Sequence, residues 1–464
     1  MTMTANPELL RDELFAILGS RGLLEPDDFA GRSCDPFLHE PIASPFVTRP
    51  ANAAELSEVI KVAARHDWRI VTHGGVTGMS GGAFTRPDTI VVSTERMRQI
   101  EEINEIGQFA VVGAGVSVEE LQNAVEEKGL FYPVDLGSKG SATIGGTIST
   151  NAGGNHVIRW GMTRQSVLGI EAVLADGTVV NAMNRLLKNN TGFDLKHYLI
   201  GSEGTLGIVT RAVVRLQPLP TSQEVALLGV ESMEKVLKLL MAARNMPSLS
   251  AFEVMWHDYY ALMAESGTGR RPIEPDLPYY VLIESMGYDA DADRAAFERF
   301  MELALEQGLA ADGVLANSAR QKQDLWHVRE GSEVTHREFG AIVPFDVSVD
   351  LEHVEAFVSD AYRLLRERFT HVRGVTLGHL GDNNIHFGIN VGPQTVEQFH
   401  AVEDAVFEAL APYGGAITAE HGIGSLKREF LHKYKSEGEL EMMKRIKAAL
   451  DPHGRLNPGV IFEE

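Results

Sequence analysis

The chain holds a single cysteine, Cys34, among 464 residues. One thiol closes no internal disulfide, and no Cys-x-x-Cys pair is present for redox or zinc chemistry. A reducing compartment is expected, read here as the cytoplasm. Positive charge is scarce as well: 42 Lys and Arg stand against 64 Asp and Glu, a net charge of −22. A surface of that sign is a poor partner for nucleic acid or an anionic membrane, which need clustered Lys and Arg. An acidic substrate must therefore be captured by a local positive site. No apolar run approaches 18 residues, so no membrane span is expected. Residues 1–10 lack a basic stretch leading into an apolar one, so no secretory signal is expected. Solenoid repeats and low-complexity segments are missing too. Hydrophobic residues make up 44% and charged residues 23%, which excludes a disordered or fibrous chain.

Glycine is plentiful, at 45 residues, and its placement organises the chain. Apolar spacing predicts helices over residues 7–18 and 53–64. Short strands are predicted over 69–72, 89–94 and 109–112, with a helix over 118–128. Prolines at 36, 41, 45 and 50 make the stretch before residue 50 irregular. This alternation to about residue 130 indicates an α/β texture. Further strands are predicted over 169–174, 178–181 and 208–216. Pro218 and Pro220 then mark a boundary. Beyond it glycines thin out, and helices over 233–244, 291–307 and 351–369 alternate with strands over 279–284, 343–349 and 387–391. The expected organisation is α+β: a first domain 1–220, a second α+β domain 221–420, and a helical segment 421–464 returning to the first.

Three glycine clusters stand out. The first, His73-Gly74-Gly75-Val76-Thr77-Gly78-Met79-Ser80-Gly81-Gly82, directly follows a strand. Glycines let successive backbone N–H groups converge on an anion, and a pyrophosphate is the natural ligand. The second runs from Asp135 through Gly137-Ser138 to Thr143, Gly145, Gly146, Ser149, Asn151, Gly153 and Gly154. Its small side chains predict a backbone lying against something broad and planar, with Ser, Thr and Asn giving short hydrogen bonds. The third is Gly201-Ser202-Glu203-Gly204-Thr205-Leu206-Gly207. Two look-alikes are set aside. Gly78-Met79-Ser80-Gly81-Gly82 fits the hydrolase elbow, but no helix pattern follows Ser80. Gly113-Ala114-Gly115 precedes a helix, but Val118 stands where a dinucleotide fingerprint needs its third glycine.

The second half carries Gly378-His379-Leu380-Gly381-Asp382-Asn383-Asn384-Ile385-His386. Asp-Asn-Asn favours a turn, so His379 and His386 can meet across a hairpin. Thr418-Ala419-Glu420-His421-Gly422-Ile423-Gly424 places a carboxylate beside an imidazole. Two His and one carboxylate leave open positions on a divalent metal; the bland alternative is a set of hydrogen-bonded fold residues.

In this order the three clusters resemble the FAD-binding domain of the vanillyl-alcohol oxidase/p-cresol methylhydroxylase superfamily. More narrowly, nearly the whole chain is similar to D-2-hydroxy acid dehydrogenases of the D-lactate, D-2-hydroxyglutarate and glycolate type. The resemblance implies a two-part FAD-binding domain and a substrate (cap) domain. It implies cofactor contacts from His73, Gly74, Gly75, Val76, Thr77, Gly78, Gly81, Pro133, Asp135, Gly137, Ser138, Thr143, Gly145, Gly146, Ser149, Asn151, Gly153, Gly154, Glu203, Gly204, Gly207, Ile208 and Asn457. Some members attach FAD through a His at the position of Thr77, so non-covalent FAD is implied here. The match to GHxGDxNxH and AEHGxG implies a divalent metal, Zn²⁺ first, on His379, His386 and Glu420, with His421 as catalytic base. Arg329 is the implied carboxylate ligand, and His379 and His421 also border the substrate.

The chain departs from the pattern in places. The first loop has His73 and Val76 where the family usually has Arg and Gly. Pro344 and Gly388 stand where D-2-hydroxyglutarate enzymes typically carry Lys and Asn, which leaves the acid open among D-lactate, D-malate and D-2-hydroxyglutarate. The expected reaction is oxidation to the 2-oxo acid, with electrons passed to an electron-transfer flavoprotein, quinone or cytochrome, and a homodimer is left open. The rivals are an oxidase using O₂, a zinc hydrolase, and a non-catalytic electron-transfer subunit.

Overall fold

A computed structural model describes residues 7–463, apart from 37–38, 268–270 and 393–394. The chain is α+β and divides into two compact units. The first comprises Met1–Gly154, Trp160–Leu219 and Glu420–Glu464; the second comprises Asn155–Arg159 and Pro220–Ala419.

The first unit holds two larger sheets. In one, Arg69–His73 and Phe46–Thr48 flank Thr89–Ser93 in parallel, and Leu23–Leu24 adds an antiparallel edge. The helix Ala53–Arg65 supplies the crossover that parallel strands require. Asn52 caps it, and Leu56, Val59, Ile60, Val62 and Ala63 form its buried stripe. The other sheet is antiparallel, in the order Ile100–Asn104, Phe109–Gly113, Ile208–Arg215, Val167–Val173, Val179–Ala182. The C-terminal segment returns to the first sheet: Ile70 N–H donates to Arg455 O, and Asn457 N–H to Ile70 O, both at 2.8 Å.

The second glycine-rich stretch is partly helical. It contains the helix Ile144–Thr150, capped by the Thr143 hydroxyl. Ile144 and Ile148 enter the core with Ala114, Val116 and Leu121. A Cβ at Gly145 would stand 2.7 Å from the Ala114 Cβ, so this glycine allows close approach of helix and strand. The look-alike glycines serve packing too: a Cβ at Gly113 or Gly115 would strike the Met97 or Thr94 carbonyl at about 2 Å.

The second unit is built on a seven-stranded antiparallel sheet. Its order is Asp312–Leu315, Ser222–Val230, Tyr279–Gly287, Leu249–Trp256, Arg373–Gly378, Asn384–Asn390, Val343–Ser348. The central strands are buried almost throughout, which is why they lack the alternation that betrays a half-exposed strand. The predicted helix over 351–369 resolves into a 3-10 turn Leu351–His353 and an α-helix Val354–Arg368.

Candidate active site

In the second unit, the strands Arg373–Gly378 and Asn384–Asn390 form the hairpin that carries both histidines. The turn between them is a single 3-10 turn, Leu380–Asp382, closed by Asn383 at φ 75°. Gly378 is required there, because a Cβ would lie 2.3 Å from the Asn384 carbonyl oxygen. The turn brings the His379 and His386 rings to 5.3 Å between centroids, edge to face.

His386 faces Asp346 across the sheet, as its register partner. Asp346 is fully buried. Its carboxylate accepts from Asn384 Nδ2 at 2.7 Å, Thr418 Oγ1 at 3.1 Å and Ala419 N–H at 3.2 Å. Residues 418 and 419 are thereby pinned beside the strand that carries His386. The next two residues of the chain are Glu420 and His421.

Strand Leu249–Trp256 contributes a group that the sequence reading missed. Glu253, 1% exposed, accepts from His379 Nδ1 at 2.9 Å and from Arg329 Nε at 2.8 Å. Burial pushes the Glu253 carboxyl up, but His379 and Arg329 outweigh it and hold it below the usual carboxylate range. Arg329 ends the helix Ala319–Arg329 and is buried, with Nη2 3.5 Å from His379 Nε2. The signal was an acid flanked by Phe252 and Val254 inside an apolar strand, a placement that needs partners.

In the first unit, the segment 420–424 is held from three sides. The Gly154 N–H donates to Glu420 Oε1 at 2.6 Å. Ser80 Oγ shares its proton between the carbonyls of His421 at 3.0 Å and Gly422 at 2.9 Å. Glu203 accepts from the N–H groups of Ile423 at 2.9 Å and Gly424 at 2.8 Å. Burial pushes the Glu203 carboxyl up against these hydrogen bonds. Asn457 donates to the Glu203 carbonyl and accepts from Thr72 N–H. Thus the side chains of Glu203 and Asn457, expected to contact cofactor, staple the returning C-terminal segment. Ser80, set aside as a false elbow, orients the His421 loop.

The first two glycine clusters meet in this unit. A Cβ at Gly75 would stand 1.9 Å from the Ser141 carbonyl, and one at Gly74 would stand 2.6 Å from Thr143 Oγ1. Among the described residues, the backbone N–H groups of residues 74–78 donate to no protein acceptor. Space lies open where a Cβ of Gly78 or Gly137 would stand. A loop of free N–H groups fits a pyrophosphate. Several short polar side chains of the second cluster turn inward instead: Ser149 bonds Gly145 O, Thr143 takes Gly146 N–H, and Asn151 takes Arg164 N–H. His73 is buried and reaches Ala83 O at 2.9 Å, tying the two ends of the first loop.

Comparison with known proteins agrees with this geometry. Residues 44–183 match the family described as "FAD binding domain", and residues 219–461 match "FAD linked oxidases, C-terminal domain". A D-2-hydroxyglutarate dehydrogenase of Stutzerimonas stutzeri is 35% identical, covering 98% of this chain and 99% of its own. The mitochondrial D-2-hydroxyglutarate dehydrogenase of Arabidopsis thaliana is 36% identical, covering 95% and 79%. Among solved structures, p-cresol methylhydroxylase superposes with TM-score 0.78 at 15% identity, covering 98% of this chain and 97% of that one. The chain therefore belongs to the FAD-linked oxidases and is an FAD-dependent oxidoreductase with the vanillyl-alcohol oxidase/p-cresol methylhydroxylase fold.

Proposed function

We propose that the protein oxidises a D-2-hydroxy acid to the 2-oxo acid, using non-covalent FAD and a divalent metal held by His379, His386 and Glu420. The observation that carries this reading is the anchoring of residues 418–419 on Asp346, the cross-strand partner of His386. Glu420 and His421 follow residues 418–419 directly in the chain. When bound, the metal polarises the substrate hydroxyl and FAD accepts the hydride from the substrate Cα. Arg329 binds the substrate carboxylate through its guanidinium edge. His421 removes the hydroxyl proton, an imidazole being suited to that task near neutral pH. Thr77 offers no ring nitrogen for a flavin bond, which supports non-covalent attachment. The loop of residues 74–78 holds the pyrophosphate.

The relatives' names favour D-2-hydroxyglutarate. One feature of the second unit favours an acid with an uncharged side chain. Pro344 and Gly388, two positions from Asp346 and His386 along their strands, are register partners. A Cβ at Gly388 would meet Ile342, Val375 and Thr335, so no charge stands there for a distal carboxylate. The electrons leave to a carrier, an electron-transfer flavoprotein, quinone or cytochrome. Several relatives are named mitochondrial; the cytoplasm is proposed for this chain from its single cysteine.

The test is an anaerobic visible spectrum during titration with D-lactate, D-malate and D-2-hydroxyglutarate. Bleaching by one of them supports the reading and names the acid. A yellow protein that none of them bleaches sinks it.

A further inference from the structure

One buried carboxylate joins two of the groups to which the proposed reaction assigns different tasks. Glu253 stands on a central strand of the seven-stranded sheet, remote in sequence from both His379 and Arg329. Both of its oxygens face His379 Nδ1, Oε1 at 2.9 Å and Oε2 at 2.8 Å, and Oε2 also lies 2.8 Å from Arg329 Nε. All three side chains are buried and belong to the second unit. A carboxylate only accepts, so both contacts need a proton on the partner atom. The ring of His379 therefore carries its proton on Nδ1 and presents the Nε2 lone pair. The guanidinium is held at Nε, with Nη2 3.5 Å from His379 Nε2, and its Nη1 edge is the part offered to a ligand.

We propose that Glu253 is the positioning residue of the site: with both oxygens it selects the His379 tautomer whose Nε2 can bind the metal, and through Oε2 it also aims Arg329 at the substrate carboxylate. The inference rests on the proposed metal-dependent oxidation. It adds that metal and substrate binding are coupled through this carboxylate, which touches neither. The sheet suits the task, because a strand paired on both sides holds a side chain more rigidly than a loop does. A ligand histidine whose second nitrogen is held by a carboxylate is also a stronger donor.

The chemistry of glutamine makes the test sharp. In Glu253→Gln the amide oxygen can still accept from Arg329 Nε. The amide nitrogen then takes the place of Oε1 beside His379 Nδ1 and, as a donor, removes one of the two acceptors that hold the ring proton there, which shifts the ring towards its Nε2-protonated form and weakens metal binding. Zn²⁺ affinity, read by chelator competition, is expected to fall about 10–100-fold, with a parallel rise in KM and an unchanged flavin content. Glu253→Asp, which keeps two accepting oxygens, is expected to recover part of the Zn²⁺ affinity. A folded, flavin-loaded Glu253→Gln protein with wild-type Zn²⁺ affinity would overturn the proposal. Nitrogen NMR of histidine-labelled protein without metal reads the tautomer directly, with the His379 signals assigned by their loss in His379→Gln. An Nδ1-protonated ring in the wild type that switches in Glu253→Gln upholds the positioning role even if the wild type binds no Zn²⁺, in which case the metal reading alone fails. An Nε2-protonated ring in the wild type overturns the positioning role. Should Glu253→Gln not fold, Glu253→Asp decides: an unchanged tautomer and a lesser loss of Zn²⁺ affinity support it, and an Nε2-protonated ring refutes it.

Discussion

Two glutamates, Glu253 in the second unit and Glu203 in the first, are held in opposite ways. In the second unit Glu253 meets an arginine and a histidine, and these partners override burial and hold its carboxyl low. In the first unit Glu203 meets backbone N–H groups, with only the Lys427 charge as a minor help, and burial pushes its carboxyl up. His73 meets a single carbonyl, and burial lowers it from 6.5 to about 4. Full charges compensate desolvation where neutral dipoles do not. On the proposed reading the second unit captures an acid against a molecular charge of −22, and Arg329 stands paired with Glu253 for that task.

The largest expected effect comes from breaking the charged set. Glu253→Leu leaves the Arg329 guanidinium buried without its carboxylate, and should cost about 3–5 kcal/mol in urea unfolding. Adding Arg329→Leu removes the orphaned charge and should recover part of that loss. If the double variant is no more stable than the single one, the cost lies in packing rather than in an unpaired charge.

His73 sharpens the contrast. Its folded value, about 4, lies below the usual 6.5, so the native state binds the proton less tightly than the unfolded chain. Its contribution is present above about pH 6.5 and is lost as pH falls towards 4, for a total of about 3 kcal/mol. His73→Gln can keep a donor to Ala83 O and does not titrate. Its unfolding free energy should fall less than that of the wild type between pH 7 and 4.5. Equal acid sensitivity in the two proteins would place the titration elsewhere. Glu203 has the opposite sign: its raised carboxyl gives a contribution present below the ordinary carboxylate range and lost as pH rises through the folded value.

What could be read from the sequence followed the same division. Half-exposed elements with clear caps, such as the helix Ala53–Arg65, were visible in periodicity. The strands Ser222–Val230 and Leu249–Trp256 were not, while the equally buried Tyr279–Gly287 was seen over 279–284; continuous burial leaves an apolar run without the alternation that marks a strand. The His379–His386 hairpin was legible because its turn residues and ligand types lie within eight positions. Glu253 was not, because its partners lie 76 and 126 residues away and a lone acid carries no spacing. The glycines of the second cluster were visible, but their purpose was not: sequence cannot distinguish a glycine that admits a ligand from one, like Gly145, that admits a neighbouring strand.

The smallest effect tests whether the cofactor loop stores strain. Val76 sits at φ 52°, in the left-handed region that β-branched residues avoid. That conformation costs an L-residue about 1–2 kcal/mol. Glycine removes the cost, but its greater freedom in the unfolded chain returns about 0.5–1 kcal/mol. Val76→Gly should therefore raise the unfolding free energy by about 0.5–1 kcal/mol in urea titration. The substitution leaves every backbone N–H of residues 74–78 in place, so flavin content should not change. If the variant is less stable and loses FAD, the valine side chain is itself a cofactor contact, and the first unit would then hold its ligand with side chains as the second does.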